Sequence, residues 1–497
     1  MGNMISRRAF ISSALAVLGS GPALADAPAY TPRPKMRGLN PLSPGGDGLK
    51  AVLQAADLTG EVVCAVADAG TGQLLEEAQG DRALPPASVA KVLTALYALN
   101  TLGEGYRFRT RLIGTGPLRN GVLNGDLVLA GGGDPTLSTD GLAELASRLK
   151  AAGLREVKGR FLVWDGALPS VTSIDPDQPD HVGYSPAVSG IALNFNRVHF
   201  EWKRAGSSWA VTMDARTKKY RPDVFTSKMA VVRRDVPVYT YQDKSGVDHW
   251  TVASGALGNG GARWLPVRNP ALYAGDVFQT LARSHGIALP NPKPIGRLPA
   301  GTELAEYQSA PLPVLLKGML KYSNNLMAEM IGMTASVQRG GRPSSLQQSA
   351  LRMSGWAAQT YGMEQTRLVD HSGLGEESRL TANDLVRALV VARKDGALKP
   401  LLKQIYLQDT KGRPIKTHPV KIAAKTGTLN FVSGLGGFVT AADGTELAFA
   451  IFSADMRARA GIRRAERERP PGARRWNSRA KRLQQSLLRR WGQVYGS

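Results

Sequence analysis

The sequence is short of several things, and each shortage closes off a class of answers. It has one cysteine in 497 residues, Cys64. No disulfide can form within the chain, and Cys64, set in the apolar run Val62 to Val66, reads as a buried structural thiol. The six histidines (His181, His199, His249, His285, His371, His418) show no ligand spacing, so no metal site is expected and no cofactor is implied. No apolar run is long and strong enough for a stable membrane span. No repeat of fixed period is present, which argues against a solenoid. The turn Gly131-Gly132-Gly133-Asp134-Pro135-Thr136 lacks the Lys-Ser/Thr of a phosphate cradle. Acid is scarce: 40 Asp and Glu stand against 63 Lys and Arg, a formal net charge of +23. That imbalance calls for an anionic partner: nucleic acid, anionic lipid or an anionic wall polymer.

What is present is ordinary globular material. Hydrophobic residues make up 43% and charged residues 21%, which is not the signature of disorder. The first residues read as an export signal. Ser6-Arg7-Arg8-Ala9-Phe10-Ile11 is twin-arginine-like, Ile11 to Leu18 is modestly apolar, and Ala23-Leu24-Ala25 fits a cleavage site. A general secretory signal that carries two arginines is the alternative. Either route places the mature protein outside the cytoplasm, in the periplasm, and so away from nucleic acid.

Organisation follows from punctuation. Residues 1–25 are the signal peptide and 26–48 a Pro/Gly-rich linker. Residues 49–105 open a domain with strands at Glu61 to Ala67 and Gln73 to Glu77. A helix begins near Ser88. Residues 106–300 read as a β-rich insertion of short strands, with one clear helix, Ala271 to His285. Strands are expected there at Val122 to Ala130 and Met229 to Tyr241, among others. Residues 301–497 complete the domain that residues 49–105 open. Val314 to Val337 is helical, with a local conflict at Ser323-Asn324-Asn325 that marks function or a break. Val420 to Leu429 is a strand, and an apolar hairpin follows to Ser453. The tail from Arg457 to Arg490 carries thirteen basic residues and two acids. Its leucine stripe predicts a helix packed on a sheet with a basic outer face.

Three short motifs stand in order. Ser88-x-x-Lys91 places a hydroxyl and an amine on one helix face. A buried lysine can take the serine proton when desolvation lowers its pKa. The helix N-terminus favours developing negative charge. Ser323-x-Asn325 and Lys425-Thr426-Gly427 follow. Each motif alone is weak; the ordered set is not.

This set resembles the penicillin-recognising serine acyl-transferases. The long insertion, Gly132-Gly133-Asp134-Pro135-Thr136-Leu137, Asp370-His371-Ser372-Gly373-Leu374 and Lys425-Thr426-Gly427-Thr428-Leu429 narrow it. Together they look like the low-molecular-mass class C penicillin-binding proteins, D-alanyl-D-alanine carboxypeptidases and endopeptidases. The resemblance implies an α/β fold, a transpeptidase/β-lactamase-like antiparallel sheet covered by helices and interrupted by the insertion. It implies Ser88 as nucleophile and Lys91 as base. Ser323 passes a proton to the leaving amine, and Asn325 binds the substrate amide. Lys425 adds positive charge that keeps Lys91 neutral. Thr426 and Thr428 bind the terminal carboxylate. The N–H groups of Ser88 and Thr428 form the oxyanion hole, beside a Gly427 that lets substrate approach. His371 departs from the glycine usual at that turn.

The implied substrates are peptidoglycan stem peptides, with β-lactams as inhibitors and no nucleic acid or metal. The basic tail suggests loose association with anionic wall or membrane. A serine β-lactamase, or a non-catalytic wall-binding protein of the same fold, are the alternatives. One further expectation concerns Asp175, Asp177 and Asp180, acids on a proline-held loop in a basic protein. Asp180 is the expected partner of a substrate side-chain amine.

Overall fold

The computed structural model describes residues 46–496. The expected export signal and nearly all of the 26–48 linker lie outside the described residues.

The first organising element is a six-stranded antiparallel sheet. Its order is Lys403–Ile405, Lys421–Leu429, Val432–Thr440, Glu446–Ala454, Glu61–Asp68, Leu74–Ala78. Side chains alternate across a strand, so one run can feed two cores. Val63 and Ala65 enter one hydrophobic cluster, and Cys64 and Val66 enter the other. Ala448, Ala450 and Phe452 divide from Leu447, Phe449 and Ile451 in the same way. Burial on both faces is why these strands read as continuous apolar runs. Burial also pushes the Cys64 thiol up to about 12, so it is inert.

One face is covered by the helices Lys91–Leu102, Leu312–Tyr322, Asn325–Gly340, Leu346–Tyr361 and Ala382–Asp395. The other is covered by Gly46–Ala55 and the C-terminal helix Ala473–Val494. Leu483, Leu487, Leu488 and Trp491 of that last helix are buried, each contributing roughly 2 kcal/mol. Arg474, Arg475, Lys481, Arg482 and Arg489 face solvent. Arg490 instead pairs with the buried Glu76, which also accepts the Trp491 indole N–H at 2.9 Å. No described helix is long and apolar enough to cross a membrane.

Between the helix Lys91–Leu102 and the helix Leu312–Tyr322 lies the strand-rich part, with its own core. A five-stranded mixed sheet runs Pro292–Ile295, Phe161–Trp164, Leu127–Gly131, Arg109–Gly114, Thr302–Gln308. The boundary expected at residue 300 therefore falls before the last strand of this sheet. Among the described residues three three-stranded sheets accompany it: Ser208–Asp214, Arg197–Ala205, Gly260–Pro266; Ser227–Val232, Val247–Ala253, Tyr239–Lys244; and the small Leu118–Arg119, Val122–Leu123, Glu156–Val157.

Three local expectations change. Val122 to Ala130 is two strands, Val122–Leu123 and Leu127–Gly131, split at Asn124-Gly125. Met229 to Tyr241 is also two strands, lying on opposite sides of Val247–Ala253. Pro237 sits in the break, and proline cannot donate to a ladder. A second helix, Thr139–Ala151, joins the one at Pro270–Ser284. Ser138 caps it by accepting the Gly141 N–H, with Asp140 in the first turn and Arg148 and Lys150 in the last.

Candidate active site

Ser88 lies in the 3-10 turn Ala87–Ala90, which leads directly into the helix beginning at Lys91. The approach is tight. Ala87 has φ 47°, uncommon for a residue with a side chain. A Cβ at Gly427 would lie 2.7 Å from the Pro86 carbonyl oxygen and 3.1 Å from the Ser88 nitrogen. Gly427 thus lets the strand Lys421–Leu429 press against the nucleophile's turn. The missing side chain makes room for the enzyme's own backbone.

The helix expected from Val314 to Val337 is broken at the second motif. Leu312–Tyr322 ends with Ser323 in the left-handed region at φ 56°. Asn324 then caps Asn325–Gly340, its side chain accepting the Met327 N–H at 3.0 Å. The conflict of polar residues in the sequence is this corner.

Lys91 is fully buried. Its Nζ stands 3.0 Å from Ser88 Oγ, 2.7 Å from Asn325 Oδ1 and 2.7 Å from the Ser372 carbonyl oxygen. Asn325 is oriented by its own Nδ2, which donates to the Tyr184 carbonyl at 2.9 Å. A neutral amine has two N–H bonds and one lone pair. Asn325 Oδ1 and the Ser372 carbonyl can only accept, so they take both N–H bonds. The lone pair is then left for the Ser88 hydroxyl. Burial lowers the Lys91 pKa from the ordinary lysine range, against the attraction of Asp370 and Glu329.

Lys425 Nζ donates to Ser323 Oγ at 2.9 Å and to the Thr426 carbonyl at 2.5 Å. Burial, then repulsion from Lys91 and Lys403, lowers its pKa to about 6. Burial is thus the leading cause at both lysines. Desolvation was expected to lower the Lys91 pKa with help from the Lys425 charge, and burial is the leading cause.

A cavity of about 350 Å³ opens at Ser88 and is lined also by Ser323, Asn325, Thr428 and Tyr184. Thr428 and Thr426 are both exposed on the strand, but only Thr428 lines this cavity. Asp180 does not line it. Its carboxylate pairs with Arg464 at 2.9 Å, and both side chains are about half exposed. Asp175 turns inward on its own loop, accepting from Asp177 N and Gln178 Nε2. The expected amine partner is therefore already engaged by an arginine and is not among the residues that line the cavity.

The residues that sequence reasoning missed come from two places. Glu329 is fully buried behind Lys91, and its Oε2 accepts the His371 N–H at 2.9 Å while Oε1 has no partner among the described residues. Burial raises its pKa, as it does for Asp370, whose oxygens accept the Gly373 and Gly375 N–H groups. The signal was a lone acid inside the apolar run Leu326 to Ile331. The second place is the segment after the last sheet strand. Arg459, Ile462, Arg467 and Glu468 form the cavity's outer wall. Arg459 donates to the Asn430 carbonyl, and the Glu468 carboxylate is held down at about 2 by His181 and Arg263. Only charge marked that segment in the sequence.

The sequence profile described as the D-Ala-D-Ala carboxypeptidase 3 (S13) family matches residues 47–468. A D-alanyl-D-alanine carboxypeptidase of Actinomadura sp. is 29% identical over 471 residues, covering 88% of this chain and 84% of that one. The crystal structure of penicillin binding protein 4 from Haemophilus influenzae is similar with a TM-score of 0.69 at 22% identity, covering 84% of this chain and 98% of that one. The same protein complexed with a β-lactam gives 0.65 at 23%, with the same coverage.

Proposed function

The chain belongs to the D-Ala-D-Ala carboxypeptidase 3 (S13) family, and from that premise we propose how its residues carry the reaction. It is a low-molecular-mass class C penicillin-binding protein, a serine-type hydrolase of peptidoglycan stem peptides ending in D-Ala-D-Ala. The single observation that carries the mechanism is the three-way hydrogen bonding of Lys91 Nζ.

Lys91, neutral, takes the Ser88 proton as Oγ attacks the scissile carbonyl carbon. The tetrahedral oxyanion is met by the N–H groups of Ser88 and Thr428. The leaving D-alanine amine needs a proton. Ser323 Oγ supplies it and is reprotonated through Lys425, to which it is hydrogen-bonded. The product is an ester on Ser88 and free D-alanine. Lys91 gives up its proton to solvent and Lys425 regains one; neutral Lys91 then takes a proton from water as that water attacks the ester, and returns it to Ser88 Oγ as the shortened peptide leaves. Thr428 holds the terminal carboxylate, with Thr426 as the second hydroxyl along the strand. The substrate's negative charge beside Lys425 restores that lysine's own charge. A peptide joined to a second strand through the same bond is cut by the same steps, which makes the enzyme an endopeptidase as well. β-Lactams acylate Ser88 in place of peptide.

Residues 1–25 direct export, and the mature protein works in the periplasm. Its basic tail adds weak attraction to anionic wall or membrane.

The test is incubation with penicillin, then with a defined muropeptide, followed by mass spectrometry. A lasting adduct on the Ser88 peptide and loss of one alanine from the muropeptide are expected. An adduct elsewhere, or penicillin consumed catalytically within seconds, would overturn the reading in favour of a β-lactamase.

A further inference from the structure

A second cavity, of about 600 Å³, shares Tyr184, Ser323 and Asn325 with the catalytic cavity but does not reach Ser88. Its volume is that of a small-molecule site. Most of its wall is apolar, drawn from the helix Leu312–Tyr322, the start of the next helix and the insertion. None of its lining residues is acidic, and Arg197 is its one cation.

Among the described residues no carboxylate pairs with Arg197. Among the described residues its buried Nε has no hydrogen-bond partner. The guanidinium rests against aromatic faces instead, 5.4 Å from the Phe195 ring centroid and 5.8 Å from that of Trp264. Burial lowers its pKa. A partly desolvated cation with no carboxylate beside it is costly unless something arrives to pair with it.

The backbone that presents Arg197 is itself unusual. Asn194, Phe195 and Asn196 all have positive φ, at 49°, 59° and 50°. Three such residues in succession persist only where the surroundings over-determine them, and such strain gathers at ligand clamps. Here the surroundings do so. Asn194 exchanges hydrogen bonds with Thr139, and the fully buried Asn196 bonds Leu193 N and the Ala187 carbonyl. The result places Phe195 and Arg197 together in the cavity wall.

We propose that this cavity binds an apolar chain bearing a carboxylate, with the carboxylate on Arg197. Two sources supply that chemistry. One is the leaving strand of a cross-linked substrate, reached past Ser323; this source rests on the function proposed above. The other is a separate amphiphilic acid.

Decanoate is the probe, with decanol as the uncharged control, and binding to the full chain is read by calorimetry. Two variants are used. Arg197→Gln removes the charge. Gly318→Leu fills the cavity: a Cβ at Gly318 meets only Met327 Cε at 3.9 Å, and leucine is a better helix former than glycine. Penicillin acylation of Ser88, unchanged in both, reports an intact fold and catalytic site. Decanoate should bind the wild type at least about tenfold more tightly than decanol, and each variant should lose about tenfold. If the occupant is the leaving strand, both variants also lower kcat/KM for a cross-linked dimer about tenfold and spare the uncross-linked pentapeptide. If it is a separate acid, both substrates are turned over as in the wild type. Decanoate bound equally by all three proteins overturns the proposal. So does the absence of binding together with unaltered dimer turnover. A wild type that neither forms the penicillin adduct nor cuts peptide fails the enzymatic reading alone, and the decanoate result still decides the cavity.

Discussion

The imidazole of His371 fills the space that a side chain at Gly332 would need. A Cβ at Gly332 would stand 2.2 Å from His371 Nδ1 and 2.3 Å from Cγ. The ring is fully buried, and its Nε2 shares a hydrogen bond of 2.7 Å with Ser349 Oγ. Its backbone ties two helices to the turn. The His371 N–H goes to Glu329, and its carbonyl accepts from Thr94 Oγ1 at 2.6 Å. The next residue, Ser372, supplies the carbonyl that holds Lys91. The departure from glycine at this turn is thus matched by a glycine on the facing helix.

Gly332→Ala should therefore cost about 2 kcal/mol or more, because neither the ring nor the helix can withdraw freely. Adding His371→Gly to that variant should return part of the loss. Chemical denaturation of the two single variants and the double variant measures this. Additive losses would mean that the two residues do not share the space.

The local signals in the sequence were strong and were legible. Val63 to Val66 alternate into two cores, and the motifs lie on the elements their patterns suggest. Thr139–Ala151 carried its own cap and charge bias, yet it sits among strands and glycines that dominate the pattern around it. The rest could not be read locally. Glu329 meets His371 across 42 positions and Asp180 meets Arg464 across 284. An acid cluster looks free in a sequence because its arginine is far along the chain. Gly427's purpose is equally hidden, since the backbone it admits belongs to another element.

Acylation should follow the neutral form of Lys91. The rate of penicillin acylation should rise with pH along one limb, with a midpoint below the ordinary lysine range, because burial lowers that pKa. Glu329 opposes the lowering when ionised, as does Asp370. Glu329→Gln removes one opposing charge and keeps an oxygen to accept the His371 N–H. The limb should then move to lower pH, on the order of one unit. A pH–rate profile that does not move would show that Glu329 stays protonated throughout.

Gly373 has φ 73°, and a Cβ there would lie 1.8 Å from the Ala87 carbonyl oxygen. Backbone cannot yield as a long side chain can. Gly373→Ala should displace the Ala87 turn, and Ser88 with it. Acylation should slow by about a hundredfold, since a misplacement of roughly 1 Å costs that much. Stopped-flow acylation is the measurement. Near wild-type acylation would mean that the nucleophile's turn is not held by this contact.

The exposed arginines of the C-terminal helix should attract anionic wall material through screened Coulombic forces. The screening length falls from about 10 Å at 0.1 M salt to about 3 Å at 1 M. Binding to purified sacculi should fall steeply over that range, while turnover of a small soluble peptide should not. Sacculus binding that ignores salt would remove the tail from this role.

Asp180 and Arg464 form an ion pair between side chains 48% and 51% exposed. Pairs so exposed are worth about 0–1 kcal/mol. Asp180→Asn should leave stability nearly unchanged, and also the kcat/KM for an amine-bearing stem peptide, since the carboxylate is engaged by Arg464 and does not line the cavity. Arg464 has further duties. Its guanidinium also donates to the backbone carbonyl of Gln178 at 2.8 Å. Gln178 and Tyr184 line the cavity, joined by a hydrogen bond from the Tyr184 hydroxyl at 3.0 Å. Arg464→Ala should therefore loosen the cavity wall where Asp180→Asn does not. We expect a several-fold loss of kcat/KM on peptide for Arg464→Ala, carried mostly by KM, with penicillin acylation preserved. Arg464→Lys should restore part of it, because the single nitrogen Nη2 donates to both the Asp180 carboxylate and the Gln178 carbonyl, and an ammonium carries enough N–H groups for the same two partners. Equal losses in Asp180→Asn and Arg464→Ala would instead place the effect in the ion pair and return Asp180 to the substrate.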